Sequence, residues 1–124
     1  MTINEAIQRV DSLVPNTFAE LDKVYWLSTL DARIKIEVID IHEGGDDVPY
    51  SEYDESTDTC TSLLAPTAYS DMYIHFLESK IHYYNKETDS YNNAIIMFNH
   101  VFEAYKEWYH RTHRPLRPKR GFHH

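Results

Sequence analysis

The chain predicts an all-α fold, an antiparallel helical bundle of about four helices with a long acidic loop and an extended basic C-terminal tail. Three observations predict it. Apolar residues recur at intervals of three and four, most regularly at Tyr91, Ile95, Phe98, Phe102, Tyr105 and Tyr109. Glycine and proline are few, three and five in 124 residues, and they fall where helices would stop. Charge is segregated. Residues 111–120 hold Arg111, Arg114, Arg117, Lys119 and Arg120 without one acid, although the chain carries a formal charge of −8.

The first helix is expected over 3–14. Thr2 and Glu5 have capping-box spacing, Ile3, Ala6, Ile7, Val10, Leu13 and Val14 share a face, and Pro15 and Asn16 close it. The second is expected over 18–42, with Thr17 and Glu20 repeating the capping-box spacing. Its stripe is Leu27, Leu30, Ile34, Val38 and Ile41, extended upstream by Phe18, Leu21 and Tyr25. The segment IKIEVIDI also alternates like a strand, but the upstream period runs through it and favours helix. Gly44 and Gly45 end it.

Residues 44–66 read as an irregular loop, and a short hairpin around 48–53 is compatible with them. A loop of this length inside a compact domain usually carries function or wraps a partner. The third helix is expected over 67–86, with Tyr69, Tyr73, Phe76, Leu77, Ile81 and Tyr84 on one side. After a polar break the fourth spans 89–112, where Ala94, Val101 and Trp108 widen its apolar face. Pro115 and Pro118 keep the tail extended. The chain thus divides into a bundle domain, 1–112, and a tail, 113–124.

This size supports one domain with a core of its own. The only cysteine, Cys60, excludes an internal disulfide and fits a reducing compartment. No apolar run approaches the ~20 residues of a membrane span, and the N-terminal segment lacks the pattern of a secretory signal. The acidic balance argues against bulk nucleic-acid binding, which needs a basic surface. His123 and His124 fit the remnant of a purification tag and are assigned no function.

Catalytic constellations are weak. Glu107 and His110 form an ExxH pair, with His100 and Glu103 on the same face. A carboxylate-bridged metal site needs a second such pair, and the third helix offers only His75, Glu78 and His82 in reverse order. A solvated face is the preferred reading, with no metal and no cofactor. Cys60 sits among acids and polar residues, which disfavour a thiolate. Asp54, Ser56 and Asp58 alternate as in a calcium loop but lack its glycine and terminal glutamate. No nucleophile elbow, phosphate loop or zinc-protease motif occurs, and no enzyme is expected.

The aromatic stripes read as core. Tyr83 and Tyr84 are adjacent and point apart, so one of them is expected outside. Trp26 lies beside the helix-two stripe. Trp26 and Tyr83 are therefore candidates for a subunit contact. The basic tail has three readings: a solubilising end, a nucleic-acid contact, and a strap that docks onto an acidic protein. The stiffness of alternating Pro and Arg favours the last.

The landmarks VDSLVPN (10–16), YWLSTLDARIKIEVID (25–40), HEGGDD (42–47) and LLAPTAYSDMYIHFLESKIHYYNKETDSYNNAIIMFNHVFEAYKEWYHRTHRP (63–115) resemble a family of small proteins of tailed bacteriophages and prophages. These are encoded among head genes, and their role is that of a head–tail connector, adaptor or head completion protein. The resemblance implies a helical bundle repeated in a homo-oligomeric ring of about twelve copies below the portal. It also implies a virion location at the head–tail junction, reached from the host cytoplasm, and a downstream stopper or tail-completion protein as second partner.

Adaptors of this kind commonly insert a C-terminal segment into the portal ring. Here the segment suited to portal docking is Arg111, Arg114, Pro115, Arg117, Pro118, Lys119 and Arg120. The acids Asp46, Asp47, Glu52, Asp54, Glu55 and Asp58 suit the lumen or the face toward the next ring, where they would repel passing DNA. The alternative is a small nucleic-acid-binding or regulatory phage protein that uses the basic tail.

Overall fold

The computed structural model describes residues 1–117, so Pro118, Lys119, Arg120 and the terminal histidines lie outside the described residues. Four α-helices run in the order α1 (Ile3–Leu13), α2 (Glu20–Ile34), α3 (Asp71–Tyr84) and α4 (Thr88–Thr112). No strand is present among the described residues.

α1 begins as its spacing predicts. The Thr2 hydroxyl accepts from the Glu5 amide at 3.1 Å, and a Glu5 carboxylate oxygen accepts from the Thr2 amide at 2.9 Å. Ile3, Ala6, Ile7 and Val10 are buried, whereas Leu13 stands half exposed at the end of the stripe.

α2 departs from expectation at both ends. It starts at Glu20 behind Ala19, with no side-chain cap, so the Thr17–Glu20 capping box does not form. Asn16 acts instead: its side-chain oxygen accepts from the Phe18 amide at 3.2 Å, and its amide nitrogen donates to Asp11 at 3.0 Å. That turn brings Phe18 against Trp26 and Tyr84. Lys23 is buried at the same corner, donating to Asp11 at 2.7 Å and to the Phe18 carbonyl at 3.1 Å.

At its other end α2 passes into a π-helical turn, Lys35–Ile39, and does not continue as α-helix to residue 42. The Asp40 amide donates to the Lys35 carbonyl, one residue further back than α-helix allows. The Lys35 ammonium binds the Asp40 carboxylate and the Gly45 carbonyl, the latter at 2.6 Å, which ties the turn to the glycine pair. The inserted residue shifts the phase of the stripe. Ile34, Val38 and Ile39 are buried, Ile41 is 53 % exposed, and His42 takes the inward position.

Residues 44–66 are irregular but anchored. A 3-10 turn, Gly45–Asp47, comes after Gly44, whose φ of 83° is left-handed. Residues 48–53 form no hairpin, because their polar groups bond to α2. The Tyr50 hydroxyl donates to the Ser28 carbonyl at 2.8 Å, and the Tyr53 amide donates to the Ser28 hydroxyl at 2.9 Å. The far end of the loop covers the start of α1. There the Ile3 and Asn4 amides donate to the carbonyls of Thr61 and Thr59, and the Leu63 amide donates to the Met1 carbonyl.

A 3-10 turn, Thr67–Tyr69, precedes α3, which ends at Tyr84. The amides of Glu87 and Lys86 donate back to the carbonyls of His82 and Tyr83. This is a Schellman closure with Lys86 in the left-handed place at φ 59°. α4 buries Ala94, Phe98, Phe102, Tyr105 and Tyr109 as its period predicts. Phe76 meets Phe98 at 5.4 Å between ring centroids, and Phe98 stacks on Phe102 at 5.3 Å. α3 packs along α4, and α1 and α2 both pack on α3.

Candidate functional site

The phase shift after α2 positions a site at one end of the molecule, where the acidic and basic segments meet. His42 is 3 % exposed. Its Nδ1 lies 2.5 Å from the Val38 carbonyl, which can only accept, so Nδ1 carries a proton. Its Nε2 faces Nδ1 of His110 at 3.3 Å, close enough for one proton to bridge the two rings. His113 stacks on Tyr109 with centroids 3.8 Å apart, and His42 meets the edge of Tyr109 at 5.0 Å. This wall of rings lies where α4 ends.

Beyond it the chain turns back along the end of α2. His42 and Pro115 form an antiparallel bridge. The Glu43 amide donates to the Arg114 carbonyl at 2.7 Å, and the Leu116 amide donates to the Ile41 carbonyl at 3.0 Å. The Arg114 guanidinium stands 4.0 Å from the Glu43 carboxylate, with both side chains well exposed, so that pair adds little. The tail root is held by backbone bonds, and Arg111, Arg114 and Arg117 stay exposed.

The other acids follow along the loop. Asp46 and Asp47 are exposed on the 3-10 turn. Glu52, Asp54, Glu55 and Asp58 are exposed further along the loop. Two of them have local work. Asp54 accepts from the side chain and amide of Ser56, which hold its carboxyl below the usual range. Asp58 accepts from the Cys60 amide at 2.9 Å.

The loop is fastened from below by Asp31, which is fully buried. One carboxylate oxygen accepts from the Tyr53 hydroxyl at 2.6 Å and the Leu64 amide at 3.1 Å; the other accepts from the Tyr73 hydroxyl at 2.6 Å. The Tyr73 oxygen in turn accepts from the Ala65 amide at 2.8 Å. Burial pushes the Asp31 carboxyl above its ordinary value, against the three donors that oppose it. Burial beside Asp31 likewise drives the Tyr53 and Tyr73 hydroxyls far up, so both remain donors.

The two aromatic candidates separate. Tyr83 is 56 % exposed in the last turn of α3, beside an open pocket of about 530 Å³ that His82, Tyr84 and Tyr91 also line. Trp26 is 7 % exposed and stacks on Tyr84 at 5.8 Å with Phe18 at its edge, so little of its ring faces outward. Phe18, carried by the Asn16 turn, packs beside it.

Among the described residues no three His, Cys, Asp or Glu side chains are grouped to hold a metal ion. His42 and Asp31 escaped the sequence reading as site residues. Asp31 did carry a signal, since it falls within the Leu27, Leu30, Ile34 stripe, where a charged group must find partners.

No family model fits the chain, and neither a curated protein nor a solved structure matches it. No helix among the described residues is long and apolar enough to cross a membrane.

Proposed function

We propose that the protein is a head–tail connector of a tailed bacteriophage, an antiparallel four-helix bundle that assembles as a ring of about twelve copies below the portal. Its basic tail docks on the portal, its other face receives a stopper or tail-completion protein, and DNA passes through without being gripped. One observation carries this reading beyond the sequence resemblance. The tail is rooted by backbone hydrogen bonds at residues 41–43 while Arg111, Arg114 and Arg117 point no charge into the body. A segment fixed at its base and basic along its exposed side is built to reach a neighbouring acidic surface.

The exposed acids Asp46, Asp47, Glu52, Asp54, Glu55 and Asp58 have the sign needed to keep DNA off a channel wall. Tyr83, exposed with its neighbour Tyr84, is available for a subunit contact.

Removal of residues 115–124 tests the proposal. The truncated chain is expected to keep its helical circular dichroism and to lose attachment to portal rings. Normal attachment would overturn the strap. DNA affinity that falls steeply with salt and vanishes with the tail would identify a nucleic-acid arm instead.

A further inference from the structure

The outer face of α4, opposite its core side, is an unpartnered stripe whose charges complement a reversed copy of itself. Asp89 and Arg111 mark its ends; between them lie Asn93, Ile96, His100, Ala104 and Glu107, all exposed, with Ile96 at 64 %. At 3.6 residues per turn these seven positions fall within roughly 80° of arc and climb about 33 Å. The buried Phe98, Phe102, Tyr105 and Tyr109 occupy the other side. Met97, 49 % exposed, widens the apolar middle beside Ile96 and Ala104, where a shallow groove runs along the helix.

We infer that this face binds the same face of a second copy, antiparallel, about a two-fold axis through His100. In that register Asp89 of each copy meets Arg111 of the other, Asn93 meets Glu107, and the large Ile96 meets the small Ala104. The charged ends then face opposite charge, Asn93 faces a carboxylate, bulk faces space, and only His100, on the axis, meets its own copy. Neither Asp89 nor Arg111 has an ion-pair partner among the described residues. Glu103, at the flank, is already paired with Lys106 at 2.8 Å and faces no acid. A slip of one turn in one direction sets Asp89 against Glu107, so the charges also specify the register.

An isologous pair closes on itself and is distinct from the repeating contact of a ring. It would be a state of the free chain, and it borrows nothing from the connector reading.

The test is a charge-swap cycle on the full chain, with mass measured by sedimentation equilibrium over a micromolar to millimolar series. The wild-type chain is expected to pass from monomer to dimer. Asp89→Arg and Arg111→Asp should each shift the midpoint at least tenfold toward monomer, and the double variant should restore it. Ala104→Glu, at a solvent-facing position that leaves the core intact, should abolish dimers. Three results would overturn the inference: a wild-type monomer throughout the series, a dimer indifferent to the swaps, or single-swap defects that the double variant does not rescue. Failure of portal attachment would leave these masses unchanged, so the two ideas fail separately.

Discussion

Asp31 shows how one residue decides whether a loop is ordered. Its carboxylate collects two tyrosine hydroxyls and an amide from three separate parts of the chain. A carboxyl raised by burial binds its proton more tightly when folded than when unfolded. Its contribution is therefore greatest below the ordinary carboxylate range near 4 and declines as pH rises through the raised value. Asp31→Asn keeps the shape and removes the ionisation. Urea midpoints measured from pH 4 to 8 should show the stability difference moving in the variant's favour as pH rises; a constant difference would be wrong for this site. Gly45 offers a second residue-scale prediction. A Cβ there would lie 2.6 Å from the Ile39 carbonyl oxygen, a backbone atom that cannot swing aside. Gly45→Ala is expected to cost about 1–3 kcal/mol by denaturant unfolding. The glycine pair announced a helix stop in the sequence, but the close approach that makes Gly45 obligatory depends on the packing of the π turn.

At the scale of elements, legibility tracked the origin of each signal. α4 was plain because its period, core face and proline stop are all local. The start of α1 was plain for the same reason. The beginning of α2 was not, because Asn16 outcompetes Thr17 through a bond to Asp11 on the preceding helix. Its end was not either, because the π turn rests on Lys35 reaching the Gly45 carbonyl across ten residues. The alternating IKIEVIDI segment carried a mixed signal, and the structure resolves it as neither strand nor regular α-helix. The α3–α4 turn gives a prediction at this scale. Lys86 holds the left-handed position of a Schellman closure, where a side chain is strained and glycine is not. Lys86→Gly is expected to raise stability by about 0.5–1 kcal/mol, readable as a higher thermal midpoint.

Over the whole molecule, the separation of charge was legible from composition, but the meeting of its two poles was not. Residues 41–43 and 114–116 are far apart in sequence and adjacent in space; no local pattern marks His42, and the ExxH spacing that marks His110 does not point to His42, its neighbour at the junction. The carboxyls of Glu5, Asp11 and Asp54 lie below their ordinary values, Glu5 and Asp54 through hydrogen bonds from their own turns. At Asp11 burial opposes the shift, and Asn16 with Lys23 outweighs it. Groups of this kind stabilise the fold above the usual carboxylate range and stop doing so as pH falls through their folded values. Acid should therefore loosen the α1–α2 corner and the Asp54 turn while Asp31 gains. Backbone amide exchange measured at pH 3 and pH 6 would show this, with lower protection factors, relative to the intrinsic exchange rate at each pH, around residues 11–23 at the lower pH.

The clasp between the loop and the start of α1 sets a timetable. The amides of Ile3 and Asn4 are satisfied by Thr61 and Thr59, and Met1 receives the Leu63 amide. α1 therefore has no seat until the chain some sixty residues beyond its start has been made. α1 cannot act as a seed for the rest of the chain; it is fitted late, onto α2, α3 and a loop already in place. The earliest lasting structure should then be the α3–α4 hairpin, which closes through its own three-residue turn and waits for no distant stretch of chain.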